Sequence, residues 1–291
     1  DIIKFHCALW PAMIMSAAKN DPLLRDADGA VKLPDQVHAH GFFTIDGQKI
    51  SKSLGNAVDP REFIPQYGFD AVRYFMLREI SFGEDGDFSR ERLGIRYATD
   101  LGNTLGNLVN RVIAMSKKYF EGGIPAVDVT IAADLQSHSW RGGATLKDFR
   151  LLAESYYEAA RLDLVLGFVW DGFASGSVTH RDMDKFDFTH VSIRHANKLI
   201  EETQPFKLVK EDPQRVAEIL YVLLESVRWY AWILQPIMPN ISNKIFEQLG
   251  LNAEEELSKG WDQGLKWGGL KPGAPLGEPS PLFPRPEVEK V

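Results

Sequence analysis

Apolar residues recur at spacings of three and four along two long stretches in the second part of the chain. The first stretch comprises Leu93, Tyr97, Leu101, Leu105, Leu108, Val112 and Met115, and the second comprises Val216, Ile219, Leu220, Leu223, Val227, Ala231 and Leu234. A shorter stretch with the same spacing holds Ile241, Ile245 and Leu249. Such spacing places apolar side chains on one face of an α-helix. From about residue 90 the sequence therefore predicts long amphipathic helices whose stripes form the core of a bundle rather than a cofactor site.

The residues before this region follow a mixed pattern. Residues 1 to about 18 predict a helix, and residues 19–36 predict a polar connection. The segment from Val37 to Ile45 has the character of a β-strand, and Asp46-Gly47 suits a tight hairpin turn. The fold class predicted from these patterns is mainly α with a small α/β part.

Helix boundaries are signalled after the hairpin. Asp59 predicts an N-cap, with Pro60 at the first helical position and Glu62 completing a capping box. Gly68 is expected to end this short helix, and Asp70 to begin the next one. Far downstream, the Gly- and Pro-rich sequence after residue 268 predicts an irregular strap over the surface.

Composition narrows the class of protein. Apolar residues make up 44% of the 291 positions and charged residues 25%, which is ordinary for a globular protein large enough for two domains. The single cysteine, Cys7, excludes an internal disulfide framework and a multi-cysteine zinc site within this chain. No apolar run reaches the length that crosses a bilayer, and we expect a cytoplasmic protein. The net charge of −7 argues only weakly against nucleic acid, because a local positive face suffices for binding.

One short segment concentrates groups that suit phosphate chemistry. It is the run Lys49-Ile50-Ser51-Lys52-Ser53, flanked by Gly47 and Gly55. When a carboxylate attacks the α-phosphate of a nucleotide, ammonium and hydroxyl donors stabilise the charge that develops on the phosphoryl oxygens. The flanking glycines allow such a loop to close and reopen. A solvated basic turn after a hairpin is the competing interpretation, so the surrounding sequence decides.

The surrounding motifs resemble those of methionyl-tRNA synthetases, a family of class I aminoacyl-tRNA synthetases. They are Phe5-His6, Trp10-Pro11-Ala12, His40-Gly41, the Lys49–Ser53 loop, Asp70-Ala71-Val72-Arg73, Trp267-Gly268-Gly269-Leu270 and Leu282-Phe283-Pro284-Arg285. The leucyl, valyl, isoleucyl and cysteinyl enzymes share the loop and the bundle. The methionyl family is favoured by the combination of Phe5-His6, Trp10-Pro11-Ala12 and the pair Asn107 and Arg111.

The resemblance implies a two-part organisation. Residues 1–89 are expected to form the C-terminal remnant of a Rossmann-like nucleotide-binding domain with its linker. Residues 90–291 are expected to form a helix-bundle anticodon-binding domain with an irregular strap. The family's first catalytic half would precede Asp1, so the chain would correspond to a C-terminal half that is inactive when isolated.

The implied activity is ligation of methionine to its tRNA. The substrates would be methionine and ATP with Mg²⁺, the partner tRNA(Met), and no zinc ligands are expected in this chain. The resemblance assigns Lys49, Ser51, Lys52 and Ser53 to catalysis, with Lys52 as the main phosphate-stabilising residue. ATP binding would involve Lys52 and Asp1, the latter near the ribose.

A second set of implied residues contacts the amino acid. Ile2 and His6 match positions that line the methionine side-chain pocket, and Trp10 and Pro11 would shape its wall. From the residues alone, the default interpretation of His6 is a core or capping histidine.

A third set is implied for anticodon recognition. Asn107 and Arg111 lie one helical turn apart on the polar side of the first long helix, near Asn103 and Asn110. Such side chains can hydrogen-bond the edges of unstacked bases. Phe206 stands where the family has a tryptophan that stacks on a base, and inward packing of Phe206 is the alternative.

One segment departs from the family pattern. Residues 170–195 contain an atypical insertion within what is usually one continuous helix.

Other functions stay open. One alternative is a non-catalytic anticodon-binding module, and another is one half of a split class I synthetase of another specificity, with a separate N-terminal half as its partner. A third is a helical interaction protein descended from a synthetase, against which the intact Lys49–Ser53 loop argues.

Overall fold

The chain folds into a helix bundle with a small mixed sheet packed beside it. A computed structural model describes residues 2–50, 56–128, 146–172 and 192–286. The described part is mostly helical and contains a three-stranded sheet. The fold class predicted from the sequence, mainly α with a small α/β part, is thereby confirmed.

The α-helices of the described residues are numbered here in chain order. They are α1 (Ile2–Lys4), α2 (Trp10–Ala17), α3 (Ile64–Tyr67), α4 (Phe69–Glu79), α5 (Arg90–Arg96), α6 (Asn107–Tyr119), α7 (Leu146–Glu158), α8 (Leu162–Asp171), α9 (Ile193–Thr203), α10 (Pro205–Leu208), α11 (Pro213–Leu234), α12 (Pro239–Gln248), α13 (Ala253–Ser258) and α14 (Gly260–Gly264). Two π-helical segments, Phe5–Leu9 and Tyr97–Gly106, join α1 to α2 and α5 to α6. Short 3₁₀ turns span Pro22–Leu24 and Pro60–Phe63. The strands are β1 (Phe43–Ile45), β2 (Gln48–Lys49) and β3 (Gly86–Phe88).

The sheet is built around the predicted hairpin. β1 pairs antiparallel with β2 and parallel with β3. Asp46 and Gly47 have φ values of 48° and 73°, the left-handed pair that a tight two-residue hairpin requires. The hairpin prediction is therefore confirmed.

The predicted strand from Val37 was too long, because regular pairing begins only at Phe43. The Phe42 N–H donates to the Asp85 carboxylate at 2.6 Å instead of continuing the ladder. At Gly41 the backbone of Glu84 lies so close that an added Cβ would stand 2.0 Å from its carbonyl oxygen. The pairing of β1 therefore begins only after the point where the loop before β3 lies against the backbone of Gly41 and Phe42.

The predicted helix ends after the hairpin are largely confirmed. Asp59 caps the 3₁₀ turn through the Arg61 N–H at 2.9 Å, and Gly68 ends α3 with a φ of 83°. The Glu62 carboxylate contacts Arg90 at 3.2 Å. It thus joins this turn to α5, and the capping box predicted for Glu62 is wrong, because this carboxylate does not bond the Asp59 N–H.

The two predicted long stripes form the core. All residues of both stripes are buried except Met115, which is half-buried at the end of the first. α11 packs against both α6 and α12, so the second stripe lies at the centre of the bundle. A smaller apolar cluster, which includes Phe63, Phe75 and Phe88, lies between the sheet and α4. The described part of the chain up to residue 286 has no helix long and apolar enough to cross a membrane.

Two charged side chains of α4 attach this sheet region to the bundle. The buried Asp70 carboxylate accepts from the Ile241 N–H at 2.7 Å and the Asn240 side chain at 3.0 Å. Arg73 donates to the carbonyls of Ile237 and Pro236 at 2.8 and 3.0 Å. The Asp70 carboxylate thus bonds an N–H group in the first turn of α12, which has no partner within the helix. The Arg73 guanidinium bonds carbonyls just after α11.

A buried ion pair fixes the irregular strap that follows residue 268. Glu225 and Arg228 of α11 pair at 2.6 Å, and both side chains are at most 1% exposed. Glu225 also accepts from the backbone N–H groups of Gly269 and Leu270, and Arg228 donates to Lys266 O at 2.5 Å. The strap predicted after residue 268 is therefore present and is bonded to the core helix.

The attachment through Asp70 yields a stability prediction. Asp70→Ala leaves the α12 N-terminus uncapped inside the protein and should lower the free energy of unfolding by about 2 kcal/mol. Urea denaturation monitored by circular dichroism measures this loss. The matched control is Asp59→Ala, which removes an exposed cap and should cost clearly less. Equal losses in the two variants would contradict the anchoring role of Asp70.

Candidate functional site

The predicted phosphate loop starts from the edge strand of the sheet. Lys49 ends β2 with an exposed side chain, whereas Ser51, Lys52 and Ser53 lie outside the described residues. Asn56, just after the loop, donates from its side chain to Lys49 O at 3.0 Å. This bond joins the two described ends of the loop.

The hairpin that carries Lys49 is held by one carboxylate of β3. Asp87 accepts from the Gly47 N–H at 2.7 Å and from the Thr44 hydroxyl at 2.6 Å. The turn is thus fixed to the neighbouring strand. Asp87 was missed from the sequence because its partners lie 40 and 43 positions upstream.

The predicted amino acid pocket residues lie on the first helical segment. His6 is half-exposed, and its ring meets those of Phe5 and Trp10 edge-on at centroid distances of 5.5 and 6.1 Å. Asp1 and the side chain of Ile2 are outside the described part. Of this predicted set, the structure therefore brings together His6 and Trp10.

The predicted polar face of α6 is exposed. Asn103, Asn107 and Asn110 are exposed, and the Arg111 side chain keeps 29% of its surface accessible. Leu108 and Val112, on the opposite side, have no exposed surface. The asparagine amides therefore face solvent, as the periodicity predicted, and the Arg111 side chain lies partly exposed beside them.

Phe206 is also exposed, so the alternative of inward packing is wrong. Its side chain is 46% accessible, while the preceding Pro205 is buried. Gln204 adopts a left-handed backbone with φ of 43° at the junction of α9 and α10. Lys207 places its ammonium 5.9 Å from the Phe206 ring centroid. An aromatic face and a cation are thus presented together.

A polar contact line, missed from the sequence, joins α9 to the helix that carries Asn107 and Arg111. The Arg194 guanidinium contacts the Asp100 carboxylate at 3.1 Å, and the Asn197 amide donates to Thr104 O at 3.0 Å. Further along, Glu201 stands 4.0 Å from Arg111. We call this line the α9 seam. The sequence signal for this line was the spacing of Arg194, Asn197 and Glu201. That spacing places the three residues on one face of a helix but does not identify the helix that they contact.

Asp100 is the most heavily bonded member of the α9 seam. Its carboxylate also accepts from the Tyr74 hydroxyl at 3.0 Å and from Arg96 at 2.8 Å. Burial of Tyr74, and secondarily the neighbouring Asp100 charge, raises the pKa of the Tyr74 phenol well above its usual range. The phenol therefore stays protonated and keeps donating to Asp100.

A mainly apolar cavity of about 380 Å³ opens between the sheet and the bundle. His40 and Gly41 line it together with Phe43, Met76 and Leu162. Throughout the described ranges, including this cavity, no three His, Cys, Asp or Glu side chains converge as metal ligands would.

Comparison with known proteins is consistent along the whole chain. Residues 1–113 match a family model of class I tRNA synthetases (M), and residues 192–290 match the anticodon-binding domain of methionyl tRNA ligase. The methionine–tRNA ligase of Fusobacterium nucleatum is 37% identical over 292 residues, covering 100% of this chain and 40% of that protein. That of Nostoc sp. is 37% identical over 298 residues, covering 100% of this chain and 49% of that protein.

Solved structures agree. Mycobacterium tuberculosis methionyl-tRNA synthetase in complex with methionyl-adenylate superposes with a TM-score of 0.74 at 33% identity, covering 98% of this chain and 48% of that one. The apo form of that enzyme gives a TM-score of 0.72. The chain spans about half the length of these relatives or less. It belongs to the methionyl-tRNA synthetase family and comprises the C-terminal part of the catalytic domain and the anticodon-binding domain.

Proposed function

We propose that this chain provides the signature loop and the anticodon-reading surface of a methionine–tRNA ligase. The observation that carries the proposal is that Asn107 and Phe206 are exposed and Arg111 partly exposed on helices joined by the α9 seam. The reaction uses methionine and ATP with Mg²⁺ to form methionyl-adenylate and pyrophosphate. The methionyl group then passes to tRNA(Met).

The catalytic contribution of this chain is electrostatic. As the methionine carboxylate oxygen bonds to the α-phosphorus and the bond to pyrophosphate breaks, negative charge grows on the phosphoryl oxygens. Lys49 and Lys52 would stabilise that charge, with the hydroxyls of Ser51 and Ser53 as further donors. The anchored hairpin beneath Lys49 supports this role, because the loop starts from a fixed strand.

Substrate positioning would involve the first helix. Asp1 is proposed to bind the ribose of ATP, and Lys52 is proposed to contact its phosphates. Ile2 and His6 are proposed to line the methionine side chain. The edge-on contacts of His6 with Phe5 and Trp10 support a ring held in one orientation at a partly exposed position.

The anticodon contribution combines hydrogen bonding and stacking. The Asn107 amide can both donate and accept, and the Arg111 guanidinium presents a planar set of donors. Phe206 offers an exposed ring face beside the cation of Lys207. These groups suit an unstacked, single-stranded loop rather than a duplex. Local cations carry the attraction to phosphate, although the whole chain has a net charge of −7.

The anticodon proposal is tested with two RNA stem-loops, one bearing CAU and one with a changed anticodon, at fixed moderate salt. The chain should prefer CAU, and Asn107→Ala or Arg111→Ala should abolish the preference. Asn20→Ala removes an exposed asparagine from the polar connection near the first helix and should leave binding unchanged. Equal, salt-sensitive binding of both RNAs would overturn the proposal, because it would leave only general phosphate attraction.

Stacking by Phe206 makes a separate prediction. Phe206→Ala should weaken CAU stem-loop binding by about 1–3 kcal/mol, the range for one base stacked on an aromatic ring. Phe206→Trp enlarges the ring and should bind at least as tightly as the unsubstituted chain. Fluorescence anisotropy titration measures both. Unchanged binding in Phe206→Ala would remove this residue from the reading surface.

The loop proposal is tested by methionine-dependent ATP–pyrophosphate exchange in a protein that also carries the family's first catalytic half. Lys52→Ala should raise the activation barrier by about 3 kcal/mol, by analogy with loss of one preorganised donor. Lys19→Ala, which removes an exposed lysine at the start of the polar connection, serves as the control. Exchange at an undiminished rate in Lys52→Ala would refute the assignment. CAU binding without exchange activity in the combined protein would instead favour the anticodon-binding module.

A further inference from the structure

We infer that Arg194 and Asn197 of α9 are positioning residues that set the separation between the two arms of the anticodon-reading surface. One arm is α6 with Asn107 and Arg111, and the other is the α9–α10 corner with Phe206. The inference rests on the proposed anticodon function. It assigns no nucleotide contact to either positioning residue.

The first contact of the α9 seam has a rigid acceptor. Asp100 is only 4% exposed, and Arg96 and Tyr74 hold its carboxylate independently of Arg194. Its backbone carbonyl accepts from the Trp170 ring N–H at 3.0 Å. Arg194 therefore contacts a residue whose own position is fixed by the bundle core.

The second contact reaches the backbone directly before the reading residues. Asn197 donates to Thr104 O in the π-helical segment, three positions before Asn107. The Thr104 hydroxyl donates to Thr99 O at 2.7 Å, across the same segment. In a π-helix the carbonyl positions differ from those of an α-helix, so a bond at this turn fixes the rotation at which α6 begins.

The third pair of the seam does not fix the spacing. Arg111 and Glu201 are 4.0 Å apart, and the Glu201 side chain is 70% exposed. An ion pair of this kind contributes little in water. Apolar packing of Ile193, Ala196 and Ile200 holds α9 on the core. Among the polar contacts of the α9 seam, the two inner ones, those of Arg194 and Asn197, fix where α9 lies along the helix that leads into α6.

The far end of α9 transmits this position to Phe206. Only Gln204 and Pro205 separate α9 from Phe206, and Pro205 is buried. A shift or rotation of α9 therefore displaces the ring relative to Asn107. A recognition site of several side chains needs its members held within about 0.5 Å of the productive geometry.

The test compares CAU and changed-anticodon stem-loop binding in seam variants of this chain. Asn197→Ala should lower the preference for CAU by about five-fold, the effect of one lost hydrogen bond. Asn197→Ser keeps a local bond, because a serine hydroxyl in a helix bonds the carbonyl four positions earlier, but it loses the bond to Thr104. It should show the same loss as Asn197→Ala.

Two comparisons separate positioning from a general structural defect. Thr203→Ala on α9 removes only a local bond to Leu199 O and should keep the full preference. The double variant Asn197→Ala with Phe206→Ala should lose less binding free energy than the sum of the losses in the two single variants. The reason is that misplacing the ring and deleting it remove the same contact. Thermal unfolding of each variant verifies the fold.

Three outcomes decide the inference. Full CAU preference in folded Asn197→Ala and Asn197→Ser would overturn the positioning role while leaving the anticodon function intact. An equal loss of affinity for both RNAs would also overturn it, because that is the signature of a general phosphate or folding effect. Absence of any CAU preference in the unsubstituted chain would overturn the proposed function itself, and this inference with it.

Discussion

The buried carboxylate of Asp70 is the contact on which the arrangement of the two parts depends. It accepts from the first turn of α12, while Arg73, one turn later on α4, donates to carbonyls that follow α11. Both charges are satisfied only when α4 lies across the junction of these two helices. Any other docking would bury Asp70 without donors, at a cost that is large for a desolvated carboxylate.

From that docking the other contacts follow in order. The sheet packs on α4 through an apolar cluster, and the hairpin that carries Lys49 forms two of its strands. On its other side, α4 meets the elements next to the proposed reading surface. Tyr74 bonds Asp100 in the π-helical segment before α6, and Arg78 pairs at 2.5 Å with Asp171 at the end of α8. A single helix thus contacts both the sheet that carries the proposed phosphate loop and the elements beside the proposed anticodon-reading surface.

The sequence predicted those features that are encoded locally. Helical stripes, the Asp59 cap and the Asp46-Gly47 turn each depend on residues a few positions apart, and the structure confirms them. The α9 seam was missed because Asn197 meets Thr104 across 93 positions, and periodicity identifies a face without naming its partner. The π-helical segment was missed for a related reason, since its apolar stripe still fits the spacing of an ordinary helix. The prediction that the strand begins at Val37 was wrong because a distant side chain, that of Asp85, accepts the Phe42 N–H that would have continued the pairing.

The strap has a consequence for how the chain acquires its structure during synthesis. Glu225 and Arg228 find backbone partners only in residues 264–270, and the Tyr97 hydroxyl donates to Pro284 O across 187 positions. Until those late residues leave the ribosome, the two charges can pair with each other but lack their backbone partners. The early helices can form, but they cannot close into the native core in sequence order. Closure of the bundle therefore waits for contacts of high sequence separation, which slow folding, and the apolar stripes stay exposed until these contacts form.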